Sequence, residues 1–375
     1  MQRIRSVRAR RLVVAALAAG AAGCAADGED GAATTTTESP VWLAGPSLPQ
    51  PLANNAVAAV TIDGVTSVYT FAGIDSTKAW SGVTNVAYRM TVGGEGWEQI
   101  EPVPGPGRLA ATAQVVDDLI YVFGGYTVAE DGSEKSLPDV AIYDPTTGSW
   151  SRGADIPVPT DDAVAGVWQD DRVVLVSGWH DTGNIRDVQI YHPASDSWTV
   201  GAPIVGAPVF GHTGAVVGNR VVYTGGAAVV DAIPRFQIDT TSWIGVLSGD
   251  DSGPAWREPA AKPGRPLYRA AGGTLGELAL FLGGTDNPYN YTGVGYDRVP
   301  AEPIHQLLTY APETDAWGYL EPPPEATMDH RNIGVADDHL VLVGGMVSGQ
   351  RVSDRVWFTT ADRLLSTARP APGPR

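Results

Sequence analysis

Apolar residues in this chain fall in short runs that stop at glycine, asparagine or aspartate, a strand-and-turn pattern. Residues 119 to 150, LIYVFGGYTVAEDGSEKSLPDVAIYDPTTGSW, show one full unit: two short strands, a polar loop, a third strand and a tryptophan. The small-glycine pair recurs as Ala72-Gly73, Gly124-Gly125, Ser177-Gly178, Gly225-Gly226, Gly283-Gly284 and Gly344-Gly345. Ahead of each lies a turn dipeptide: Asp63-Gly64, Asp117-Asp118, Asp170-Asp171, Gly218-Asn219, Gly276-Glu277 and Asp337-Asp338. Such residues tolerate the positive φ of tight hairpin turns, so a hairpin is expected before every pair. Third strands are expected at NVAY, DVAIY, DVQIY, RFQI, QLLTY and DRVWF, and fourth strands at Trp97, Trp150, Trp198, Trp256 and Trp317. Trp243 competes with Trp256, which is preferred because WREPAAKPGR echoes WEQIEPVPGPGR around Trp97.

The sixth copy, from Asp329 to about Thr360, lacks a fourth-strand tryptophan, while an orphan VWLAGPSLP containing Trp42 precedes the first copy. Strands and tryptophans balance if the amino-terminal segment completes the last sheet. The expected fold class is all-β, a circular array of four-stranded sheets whose edges stay short and protected. Glycine pair, downstream tyrosine and spaced tryptophan, as in YDPTTGSW, YHPASDSW and YAPETDAW, resemble the kelch repeat over about residues 41 to 360. The resemblance implies a six-bladed kelch-type β-propeller whose N-terminal strand completes the last blade. It also implies glycines that allow close backbone packing and tryptophans that fill the space between blades. The propeller is expected over 41–362, followed by a flexible tail over 363–375.

Arg3, Arg5, Arg8, Arg10 and Arg11 precede LVVAALAAGAAG, a run too short to span a bilayer, which needs roughly 20 apolar residues. This is the form of a secretory signal peptide, expected over 1–23. AAGC resembles a bacterial lipoprotein lipobox, with Ala21 where that pattern favours leucine, and implies lipidation at Cys24. Residues 24–40 are small, acidic and threonine-rich, and are expected to form a disordered tether. The expected location is the bacterial cell envelope, with membrane contact through the lipid anchor only. Cys24 is the only cysteine, so packing without disulfides must stabilise the fold. Formal net charge is −17, or −22 without the five leader arginines, a sign that repels phosphate backbones. Nucleic acid is therefore not an expected partner, and a monomer is expected.

With strands ordered a to d from the axis outward, d–a connections and b–c loops share one face of a propeller. Entrances to the inner strands place Asn54, Asn55, Arg108, Asp161, Asp162, His212, Tyr268, Arg269, His330 and Arg331 near the channel. Arg108 and His212 match kelch positions, which implies hydrogen bonding between blades as the alternative to ligand contact. Together these residues suit an anionic or sugar-like ligand. The b–c loops add Trp80, Trp179, His180 and Asp181, and the longest contributes Tyr289, Tyr291 and Tyr296. Such aromatics either stack on sugars and peptides or pack the long loop onto the propeller.

No H-E-x-x-H, CxxC, P-loop or G-x-S-x-G sequence occurs, so zincin, redox, NTPase and α/β-hydrolase readings lack support. No cofactor and no metal are expected, because His180, His212 and His330 lack close ligand spacing. Galactose oxidase shares the kelch-type propeller but needs copper beside a tyrosine–cysteine crosslink, and Cys24 belongs to the export signal. N-acetylneuraminate epimerases, exported bacterial kelch proteins, resemble the chain in architecture, although no catalytic acid can be matched residue by residue. The leading expectation is a propeller that binds a carbohydrate, peptide or protein on the d–a and b–c face. A sugar epimerase or mutarotase is the alternative, and a non-catalytic envelope scaffold the second.

Overall fold

The computed structural model describes residues 40–249 and 251–371. The signal peptide, Cys24, nearly all of the tether and the last four residues of the expected tail lie outside the described residues.

Central strands such as Leu119–Phe123, Arg172–Val176 and Leu278–Leu282 carry, after their first residue, a continuous apolar run that is buried throughout. Continuous rather than alternating hydrophobicity means that both faces are covered. The topology shows how: among the described residues, six antiparallel sheets are each built on four strands, and four smaller sheets lie in the loops. The first runs outward through Ala56–Ile62, Val65–Ile74, Val83–Thr91 and Glu98–Ile100. Innermost strands neighbour one another in chain order, and the last, Gly334–Ala336, returns beside Ala56–Ile62. Apolar side chains from each adjacent pair of sheets form one cluster, six in all among the described residues. Among the described residues no helix is long and apolar enough to cross a membrane.

Ring closure rests on a repeated backbone contact. The second residue of every small-glycine pair donates its N–H to the entrance of the next sheet: Gly73 to Arg108, Gly125 to Thr160, Gly178 to Val209, Gly226 to Leu267, Gly284 to Thr327 and Gly345 to Leu52. These bonds span 2.7 to 3.2 Å, and the last closes the circle. Glycine is required by contact as well as by conformation. At Gly225 φ is +69° and an added Cβ would lie 2.0 Å from the Leu267 carbonyl oxygen.

At the outer edge the tryptophans do what the repeat resemblance implies. Four indole N–H groups reach a carbonyl of the preceding sheet or its outer segment: Trp97 to Pro46, Trp150 to Glu101, Trp198 to Ala154 and Trp317 to Ala260, whereas that of Trp256 has no partner among the described residues. Trp42, 3% exposed, makes such a bond to Glu321 at 2.8 Å. It sits directly before Leu43–Ala44, which pairs antiparallel with Val356–Thr360 as the outer strand of the sixth sheet.

Two expectations are corrected. The RFQI segment is not the third strand of the fourth sheet. Phe236–Ile238 belongs to a small rim sheet with Val209–Phe210 and Ala227–Val229. Ser242–Val246, carrying Trp243, takes the third position, and Trp256 lies in the outer strand Ala255–Arg257. The reason is burial: Ile244 is fully covered, whereas every residue of Phe236–Ile238 retains solvent contact. The tail expected over 363–375 is also ordered as far as it is described. Leu364 in the helix Ala361–Leu365 is buried in the cluster that holds Trp42, and Arg369–Pro370 adds a fifth strand to the fifth sheet. An apolar leucine and an unpaired sheet edge are enough to hold it.

Trp42→Ala should cost about 3–5 kcal/mol, the range for truncating a buried aromatic. Urea unfolding checks it. A midpoint unchanged from wild type would show that the amino-terminal segment does not hold the ring shut.

Candidate functional site

Where each sheet is entered, one residue adopts the left-handed conformation: Asn54, Ala110, Asp162, Gly211, Arg269 and Asp329, with φ between 49° and 64°. Their peptides form a second ring. Asn54 donates to Asp329, Ala110 to Asn54, Asp162 to Ala110, Gly211 to Asp162 and Arg269 to Gly211, and His330 N–H completes it to Arg269. Side chains from this ring meet at the axis.

Arg269 binds Asp162 through two nitrogens, at 2.7 and 3.2 Å, and Asp329 at 3.2 Å. Arg331 bonds Asp162 from the sheet opposite. All four side chains are at most 2% exposed. The Arg269 guanidinium also lies over Tyr268 and Tyr289, 5.1 and 5.3 Å from their centroids. Burial alone would raise Asp162, but Arg269 and Arg331 overcome it and hold its carboxyl below the usual range. Its neighbour Asp161 goes the other way: burial, then the Asp162 charge, push it well up. Burial raises Asp329 despite both arginines. It also lowers His212 to about 4 and His330 to about 3, so both imidazoles are neutral near pH 7.

Beside this charged plug is a cavity of 120 Å³, lined by Tyr126, Glu134, Asp161, Asp162, Trp179, Phe210, Phe236, Arg269, Asn290 and Tyr296. All ten come from d–a connections or b–c loops. Ser136 Oγ donates to Asp161 at 2.6 Å, and Asn290 Nδ2 donates to Glu134 at 3.2 Å. The second contact spans from the fifth sheet's long loop to the second sheet's loop. Partial desolvation by the surrounding loops raises the carboxyl of Glu134, a residue that stays open to solvent, and the Asn290 hydrogen bond opposes the rise. Trp179 and Tyr296 flank Phe236, with centroids 5.6 and 4.4 Å from it.

A larger cavity of 620 Å³ follows the axis toward the a–b turns. Its walls are inner-strand backbone and small side chains such as Ala113, Gly166 and Val216, and Asp170 is their only titratable group. Of these two cavities, the smaller holds the convergent carboxyl, amide and aromatic side chains.

Of the residues expected near the channel or at a site, Asp161, Asp162, Trp179, Arg269 and Tyr296 meet there. Arg108 does not. Fully buried, it bonds the Gly124 and Pro104 carbonyls and lies 3.6 Å from Asp139. His212 bonds the Val176 carbonyl, and His330 shares a hydrogen bond with Thr327. Arg331 is engaged by Asp162. His180 reaches the Pro159 carbonyl, and Asp181 braces the Ser136 backbone behind the cavity. Tyr289 packs the long loop down, with its carbonyl accepting from Tyr268. Tyr291 packs at the edge of the same apolar cluster, while Trp80 stands apart, 44% exposed. Among the described residues no three His, Cys, Asp or Glu side chains group to hold a metal ion. Missed from sequence were Glu134, Asn290, Tyr126, Phe210 and Phe236. Only Phe210, at a sheet entrance, and Tyr126, directly after a glycine pair, carried a positional signal.

A ring of sheets tied by glycine pairs and indoles, with its polar side chains over one face, defines a kelch-repeat β-propeller. The family described as the KLHDC2/KLHL20/DRC7 Kelch-repeats domain matches residues 33–226, and the chain belongs to it. The solved structure of YjhT superposes with a TM-score of 0.67 at 16% identity, covering 87% of this chain and 99% of YjhT. N-acetylneuraminate epimerase of Yersinia enterocolitica serotype O:8 / biotype 1B (strain NCTC 13174 / 8081) is 39% identical over 59 residues. That match spans 15% of this chain and 15% of the Yersinia protein.

Asp162→Ala leaves two buried guanidiniums short of a partner and should cost about 3–5 kcal/mol. Chemical denaturation measures this; a loss under about 1 kcal/mol, typical of an exposed pair, would mean the plug is solvated.

Proposed function

We propose that this chain is an exported, lipid-anchored propeller that binds a small carbohydrate group in the cavity bounded by Glu134, Asp161, Trp179 and Tyr296. The convergence of carboxyls, an amide and aromatic rings on one loop-built cavity carries the reading. Flat aromatic faces suit the C–H face of a sugar ring, and carboxyl and amide groups exchange hydrogen bonds with hydroxyls. At 120 Å³ the cavity is below the roughly 300–1,000 Å³ of drug-sized sites. A terminal sugar residue fits that scale better than a folded partner does. Because the only guanidinium in the cavity wall, that of Arg269, is paired with Asp162 and Asp329, hydroxyls are better recognised there than a carboxylate. The basic leader and the lipobox-like AAGC support export and anchoring at Cys24.

A second reading, a sugar mutarotase, draws on Glu134 and Asp161, whose raised carboxyls suit a proton donor. The short similarity to the Yersinia epimerase points the same way.

A glycan screen followed by calorimetry tests both readings. Trp179→Ala and Tyr296→Ala should each weaken binding about tenfold, roughly 1.4 kcal/mol. Full affinity in both variants rejects this face. NMR of the bound sugars showing no faster anomer exchange removes the mutarotase.

A further inference from the structure

We infer that the ligand group admitted to this cavity is a cation, a protonated amine such as an amino sugar carries; the inference rests on the carbohydrate reading above. Four carboxyls gather around the cavity and plug: Glu134, Asp161, Asp162 and Asp329. They face two guanidiniums, Arg269 and Arg331, and the ion pairs go to Asp162 and Asp329. Among the described residues neither Glu134 nor Asp161 forms an ion pair. Each instead accepts one neutral side-chain hydrogen bond, from Asn290 and Ser136 respectively. Two carboxyls are thus without a guanidinium partner, and a positive charge between them offsets one of the two.

The rest of the wall agrees. Tyr126, 4% exposed, lines the cavity with a hydroxyl that has no partner among the described residues, an acceptor for an ammonium N–H. Trp179, Phe210, Phe236 and Tyr296 line the space with aromatic rings, a residue class whose faces attract cations. The adjacent Arg269 already uses this attraction toward Tyr268 and Tyr289. An anion would meet the carboxyl excess, and a neutral group would leave it uncompensated.

Calorimetry on the full chain, below the amine's pKa, compares glucosamine and galactosamine with their neutral N-acetyl forms, with N-acetylneuraminate and with tetramethylammonium. The amino sugars should bind about tenfold more tightly than the N-acetyl forms. Glu134→Gln should abolish that preference, and Asp161→Asn serves as the second variant if the first fails to fold. Equal affinity for charged and neutral sugars, still sensitive to Trp179→Ala, overturns the cation inference and leaves the carbohydrate reading standing. Tighter binding of N-acetylneuraminate overturns it as well. Tetramethylammonium binding without any sugar binding keeps the charge preference and removes the carbohydrate reading, and binding of no probe overturns both.

Discussion

The backbone hydrogen bond passed from each sheet to the next around the axis is the contact on which this molecule depends. Each such bond contributes only about 1 kcal/mol net. Interrupting the circle would cost more, because an open ring exposes an unpaired sheet edge and an apolar face together. Leu43–Ala44 on the sixth sheet and the Gly345 to Leu52 bond close that gap. Trp42, directly before that outer strand, ties the sixth sheet to the fifth through its bond to Glu321.

Closure also dictates backbone geometry at the axis. Left-handed φ costs an ordinary residue roughly 1–2 kcal/mol, yet Ala110 and Arg269 adopt it beside the more tolerant Asn54, Asp162 and Asp329. Their peptides are held by neighbours on both sides, so the circle over-determines the conformation. The outcome is a charged cluster that no single sheet could assemble. Asp162 belongs to the third sheet, Arg269 to the fifth and Arg331 to the sixth. Buried ion pairs of this kind add little stability. Here they keep Asp162 ionised, which in turn pushes Asp161 up. The charge of the plug thus adds to burial in raising the Asp161 carboxyl beside it.

The same geometry separates two spaces with different chemistry. Along the axis, inner strands present backbone and small side chains. On the rim, loops of unequal length bring acids and aromatics together. The long loop of the fifth sheet matters most, since it buries Tyr289, places Tyr296 and carries Asn290 across to Glu134. Its tyrosines divide between the two roles open to them, with packing for Tyr289 and Tyr291 and cavity wall for Tyr296.

Repeat, turns and tryptophans were legible in the sequence because each is a local requirement: a positive φ, a close backbone approach, or an indole beside a neighbouring carbonyl. The face on which the loop-built cavity opens followed from strand order alone. What eluded local reading depended on partners far along the chain. RFQI has the composition of a strand, but only the packed sheet decides which of two candidate runs is covered on both sides. Arg108, Arg269 and Arg331 look alike as residues near the axis. Tertiary placement made the first a link between backbone carbonyls and the other two counterions of buried aspartates. Glu134 is one acid among 42 acidic residues in the sequence, and gained meaning only when a loop more than 150 residues later folded against it. Short-range sterics wrote the propeller into the sequence, while charge pairing, which acts through space and depends on burial, was settled by the closed ring.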